Sequence, residues 1–247
     1  MGTKERITGP FFKWFGSKWL SSKTLPAPRY DSIVEPFAGG AGYSLRYFEH
    51  SVYLYELDGH IARLWRWLIE QANEKEIREI PTDIPEGTDI RKIGLSKGQA
   101  LLLKSWQRTN SVGNCWTISL WGNKPGQWTV NTRARVASEV GLIKHWRFNG
   151  RDGFDGFANL NDCPRTWFID PPYQYNYDYG SLENIDYVKL ANICWQLKGH
   201  RIVCEAICAK TGLTPIWLPF SFFGSRVTSR RKAENSHHSN ELVFEEF

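Results

Sequence analysis

With 247 residues, 41% of them hydrophobic and 23% charged, the chain has the composition of a soluble globular protein and room for one large domain, or a smaller core with an insertion. No apolar run approaches the roughly 20 residues that cross a bilayer, which argues against a membrane-spanning helix. The net charge of +5 hides an asymmetry: residues 91–151 hold 11 Lys or Arg against one acid, Glu139, so this stretch carries +10 and the remainder −5. A solvated face mixes both signs, so a polyanionic partner is expected.

The first ten residues lack the apolar stretch of a signal peptide, so the expected location is the cytoplasm. Five scattered cysteines form no CxxC pair and suggest neither a disulfide framework nor a zinc knuckle. Cys204 and Cys208 read as small buried hydrophobes. The six histidines are dispersed, and no bound metal is expected.

In chain order, residues 11–18 mix aromatics with lysines around a glycine turn. The apolar run 32–37 suits a buried strand and ends in Ala38-Gly39-Gly40-Ala41-Gly42, after which 43–50 reads as helix. A second strand is expected over 51–56, then a helix with Ile61, Leu64, Trp65 and Leu68 on one face. Strand, glycine loop, helix and a strand with an acidic end open a nucleotide-binding α/β fold. Residues 73–90, with Pro81 and Pro85, read as a connector, and 95–106 and 133–146 as helices. Between them, 116–118 and 128–130 are predicted as hairpin arms. The α/β rhythm resumes with a strand at 166–169, a helix over 187–197, strands at 201–205 and 215–218, and a closing strand over 241–247. The reading is therefore an α/β fold formed by 1–70 and 146–247, with 71–145 as an insertion.

Two features carry chemistry. Glycines at 39, 40 and 42 let the backbone approach a ligand, and Glu56 at the end of the next strand can accept from a ribose diol, which together suggest an adenosine-containing cofactor. Asp170-Pro171-Pro172-Tyr173 is more specific. Its prolines stiffen a loop just beyond a strand. The Asp170 carboxylate and the Pro171 carbonyl can both accept from one amino group, and the Tyr173 ring can stack on a planar base. Two fixed acceptors favour the pyramidal, nucleophilic form of an aromatic amine, which exists only near the transition state. A base in duplex DNA must leave the stack to reach such a pocket.

The ordered set Lys13-Trp14-x-Gly16-x-Lys18, Glu35-Pro36-Phe37-x-Gly39-Gly40-x-Gly42 and Asp170-Pro-Pro-Tyr173 resembles the Dam-type DNA adenine-N6 methyltransferases. The resemblance implies a Rossmann-like methyltransferase sheet, transfer of a methyl group from S-adenosylmethionine to a flipped-out adenine, and double-stranded DNA as partner. It makes Asp170, Pro171, Pro172 and Tyr173 catalytic. It puts Trp14 and Lys18, then Glu35, Phe37, Gly39, Gly40 and Gly42, around the cofactor with Asp170. It gives Glu56 the ribose, where the family has Asp, with Asp58 able to share that role. Asp152, or Asp155 as a competitor, matches the acid at the cofactor's adenine end. The target-recognition region falls at 71–145, with Arg108, Asn110, Asn123, Lys124, Arg133 and Arg135 as candidates for phosphate or base contacts. Trp106, Trp116, Trp121 and Trp128 read as packing for that module, with a wedge into the duplex open to one at a hairpin tip. A second basic cluster, Arg226 with Arg230, Arg231 and Lys232, is expected in a polar loop that either clamps the DNA backbone or is a mobile solvated loop. A monomer in the cytoplasm of a bacterial or phage-infected cell is the expected setting. Cytosine-N4, RNA adenine or a protein amide remain alternative acceptors, as does a catalytically decayed DNA-binding scaffold. A cytosine-C5 enzyme needs a Pro-Cys nucleophile, whereas Cys163 precedes Pro164.

Overall fold

The computed structural model describes residues 6–107, 115–120, 122, 124–150, 152–173, 185–207, 224–228 and 240–246. In chain order come β1 (Ser32–Glu35), β2 (Ser51–Tyr55), α1 (Gly59–Glu70), α2 (Glu74–Arg78), α3 (Lys97–Trp106) and α4 (Val130–Glu139). They are followed by β3 (Arg147–Gly150), α5 (Gly153–Asn159), β4 (Arg165–Ile169), α6 (Tyr187–Gln196), β5 (Gly199–Ile207), β6 (Gly224–Thr228) and β7 (Asn240–Glu246).

The strands form one sheet in the order β3-β2-β1-β4-β5-β7-β6. Strands β3, β2, β1, β4 and β5 are parallel, and β7 runs antiparallel to both β5 and β6. The chain leaves β1 for β2 on one side and later returns to β4 on the other. This reversal is the point at which open α/β sheets form a ligand crevice. Arg165–Ile169 is buried along its whole length, as expected of a central parallel strand covered on both faces.

Alternate residues of each strand enter two cores. Ile33, Phe168 and Ile202 join Trp65 and Leu68 of α1, Leu102 and Leu103 of α3, and Val136 of α4. Val34, Trp167, Ile169 and Val203 pack instead with Phe157 of α5 and Leu190, Ala191 and Cys194 of α6. Residues from 72 to 143, including Ala72, Ile77, Trp106 and Trp128, thus share the larger core with Phe11, Phe12 and Leu25. The Trp128 indole donates to the Pro81 carbonyl at 3.0 Å, and that of Trp106 to the Phe11 carbonyl at 2.9 Å.

Several expectations are corrected. The 116–118 segment does not pair with 128–130. It bonds to the 87–90 strip, with the Ile90 amide donating to the Trp116 carbonyl at 2.8 Å and the Ile118 amide to that of Thr88 at 2.9 Å. Thr129 caps α4 through the Thr132 amide, so Val130 starts a helix. The supposed connector over 73–90 contains α2, opened by an Asn73–Glu76 capping box. The helix expected over 43–50 is a 3-10 turn, Ser44–Tyr47, and α4 ends in another, Val140–Ile143. Strand β3 was not anticipated, because its residues show no apolar alternation at a sheet edge. Arg226, assigned to a polar loop, lies in β6. The strand expected over 215–218 lies outside the described residues.

Candidate active site

Four neighbouring parallel strands bring the scattered candidate acids to one edge of the sheet. Strand β1 ends at Glu35, β2 leads into Glu56, β3 leads to Asp152, and β4 delivers Asp170. The edge is the C-terminal one, where parallel sheets bind ligands.

The loop after β1 is held from below and covered from above. Gly39 has φ +48°, and its carbonyl accepts from the indole of buried Trp65 at 2.8 Å. A Cβ on Gly39 would fall on the Trp14 indole, and one on Gly42 would collide with the Trp19 backbone amide. Residues 14–19 therefore lie directly on the glycine loop as a strap. Closest approach of backbone to backbone, at Gly42, is what requires glycine there. Gly40 meets the same strap through Ser17 and Trp14.

Glu56 ties the loop to β2. Its Oε2 accepts from the Gly39 amide at 2.7 Å and its Oε1 from the Asp58 amide at 2.8 Å. Burial pushes this carboxyl up to about 7. Asp58 uses its own carboxylate to cap α1, accepting from His60 and Ile61. Asp152 is exposed and caps α5 through the Phe154 amide. Asp155 lies in the first turn of α5, with Gly153 against Pro36 and Gly156 against the Tyr55 ring. The Phe37 ring packs into the second core beside Phe154 and Phe157.

On the neighbouring strand, Asp170 meets the strap. The Lys18 ammonium donates to Asp170 Oδ2 at 2.6 Å and to the Gly16 carbonyl at 3.0 Å. It also lies 5.2 Å from the centre of the Tyr173 ring. The Tyr187 hydroxyl donates to the Pro172 carbonyl at 2.6 Å and so braces the loop. Sequence reading marked Tyr187 only as a helix start and did not pair Lys18 with Asp170, which lies 152 residues away. A basic residue in the first motif was the one available signal.

Beneath this pair sits Glu35, 1% exposed, whose Oε1 accepts from the Ser44 amide at 2.8 Å. Burial pushes its carboxyl up to about 8, with Asp170 adding repulsion and Lys18 opposing it. A carboxyl raised in the folded state keeps its proton after the unfolded chain has lost it, so stability falls as pH rises toward that value. Wild-type protein should lose about 1 kcal/mol of unfolding free energy between pH 7 and pH 8 through this group. Glu35→Gln stays neutral and should flatten that slope in urea titrations; a slope unchanged from wild type contradicts the assignment.

The candidate DNA contacts are not gathered in the same way. Lys124 is exposed, whereas Arg133 donates to the Ile80 carbonyl at 3.0 Å. Arg135 is committed to the Gly9 and Pro10 carbonyls and to Glu139, where it anchors the N-terminal segment. Arg108, Asn110, Asn123, Arg230 and Arg231 lie outside the described residues. Among the described residues no group of three or more His, Cys, Asp or Glu is arranged to hold a metal, and no helix is long and apolar enough to cross a membrane. No protein-family model matches this chain, and no curated protein does.

Proposed function

We propose that the chain is an S-adenosylmethionine-dependent DNA methyltransferase that modifies the exocyclic N6 amine of adenine. The observation that carries this reading is the position of Asp170-Pro171-Pro172-Tyr173 at the end of β4, beside the glycine loop of β1 and across from Glu56. On this reading an amine-binding loop and a cofactor loop meet at one edge of the sheet. The antiparallel β7 between β5 and β6 also departs from the 3-2-1-4-5-6 order of a dinucleotide-binding sheet, which weighs against a nicotinamide enzyme.

The residues fit the cofactor by the chemistry of their donors and acceptors. Glu56, just after β2, can accept from a ribose diol with the lone pairs that its bonds to the Gly39 and Asp58 amides leave, and Trp14 lies on the glycine loop beside it, the glycines themselves facing the strap. When bound, S-adenosylmethionine supplies an electrophilic methyl group. The chain's own residues do the rest. Asp170 and the Pro171 carbonyl accept the two amine hydrogens and localise the nitrogen lone pair toward the methyl carbon. Tyr173 provides a face for the base, and Tyr187 keeps the proline loop from yielding. The excess proton on the methylated nitrogen passes to solvent.

DNA is favoured as the substrate by the +10 charge over residues 91–151. The test is transfer of tritiated methyl groups to unmethylated duplex DNA, followed by digestion to nucleosides. Label is expected in N6-methyladenine; label in N4-methylcytosine, or in RNA alone, rejects the assigned acceptor. DNA affinity is expected to fall steeply with added salt, as counterion release requires.

A further inference from the structure

The strap over residues 14–19 touches both the loop after β1 and Asp170 after β4. On the β1 side, Trp14 lies against Gly39 and the Trp19 amide against Gly42. Its far end is held by Arg46, which stacks 5.0 Å from the Trp19 ring centre and donates to the Trp19 carbonyl at 3.3 Å. On the β4 side the strap reaches Asp170 through a side chain that is only 5% exposed. A lysine that merely lined the cofactor loop would have no need to cross to β4. Here the ammonium is engaged by a carboxylate at 2.6 Å and by its own strap's Gly16 carbonyl at 3.0 Å. Charge-assisted bonds of that length are strong and directional, and burial keeps water from competing.

We infer that Lys18 is the positioning residue of Asp170, fixing the carboxylate through its Oδ2 oxygen while the target amine donates to it. This rests on the methyltransferase reading above. Asp170 follows a strand but has its own side-chain rotations, and the prolines after it stiffen only the backbone. The lysine restrains the carboxylate directly, and its anchorage on the glycine loop means that the cofactor and amine sites share one ruler. The neighbouring Glu35 does not compete for the charge at neutral pH, because burial keeps it mostly protonated.

The test compares wild type, Lys18→Met, Lys18→Arg, Asp170→Asn and the Lys18→Met/Asp170→Asn double variant. Methyl transfer to unmethylated genomic duplex DNA is followed with tritiated S-adenosylmethionine, and cofactor affinity by calorimetry. Lys18→Met should lower kcat about 100-fold while the cofactor Kd and the KM for DNA stay within about threefold. Lys18→Arg should recover at least about tenfold of that loss, since it restores a charged donor. In the Asp170→Asn background, removal of Lys18 should cost nothing further. Wild-type turnover in Lys18→Met overturns the inference. So does a loss matched by cofactor affinity weakened more than about tenfold, which would make Lys18 a cofactor residue. Should Lys18→Met fail to fold by circular dichroism, Lys18→Gln keeps a neutral donor and carries the same test. Its intermediate kcat with intact cofactor affinity supports the inference, and its wild-type kcat overturns it. If the wild-type chain transfers no methyl group to DNA, RNA or protein, the methyltransferase reading falls and takes the role of Lys18 with it.

Discussion

Asp170→Ala is expected to lower methyl-transfer turnover by about 1,000-fold while S-adenosylmethionine binds within about threefold of wild type. On the proposed reading the loss is large because the carboxylate acts mainly in the transition state. The ground-state amine is flat, and its lone pair is shared with the ring. Removing an acceptor aimed at the pyramidal amine therefore costs kcat more than binding. Cofactor affinity is expected to be spared because the glycine loop keeps its bonds to Trp65 and Glu56, and the strap keeps its contacts with that loop through Trp14 and the Trp19 backbone when the Lys18 pairing is lost. Single-turnover transfer to duplex DNA measures the first quantity and calorimetry the second. Turnover above about a tenth of wild type would remove Asp170 from the catalytic role. Thermal unfolding should accompany the assay, because the variant removes the 2.6 Å ion pair between the buried Lys18 ammonium and Asp170.

Gly42→Ala should be strongly disruptive for a single-carbon change. The added methyl group would overlap the Trp19 amide nitrogen and the Lys18 backbone, which cannot rotate aside as a side chain does. Either the strap lifts or the loop shifts, and Trp14 and Lys18 move with it. The expected cost is about 3 kcal/mol of stability. In a chain of 247 residues that is a drop of roughly 6–12 °C in Tm. Methyl transfer should fall together with cofactor affinity, unlike the split expected for Asp170→Ala. Gly141→Ala is the control, since a Cβ there meets nothing within 4 Å. Its stability should stay within about 0.5 kcal/mol of wild type. If the two alanine variants melt alike, the close packing of strap on loop is not what holds this edge together.

The parts of the fold legible in the sequence were those where local pattern and burial agree. Val34 and Ile33 of β1, and the fully buried run of β4, read as strands because both of their faces are covered. The amphipathic stripe of Ile61, Leu64, Trp65 and Leu68 read as α1 because one face of a helix meets the core. Reading failed where partners lie far along the chain. Residues 116–118 carry strand-like composition, yet their partner is the 87–90 strip, which proline-rich flanks disguised as a connector. Trp128-Thr129-Val130 has the same composition, but a threonine hydroxyl at the right offset starts a helix there.

The residue types behind the proposed chemistry were determined by the sequence alone: an Asp followed by two prolines and a tyrosine, glycines after a strand, and an acid at the end of the next. These are local backbone and functional-group properties, and a linear chain states them directly. Their assembly at one edge of the sheet was decided by tertiary structure, because the order β3-β2-β1-β4 makes neighbours of strands that are far apart in sequence. The same holds for the burial that raises Glu35 and Glu56, for Arg135 turning from a candidate DNA contact into an anchor, and for Lys18 reaching Asp170. Desolvation and pairing depend on what surrounds a charge in three dimensions, and no local pattern carries that information.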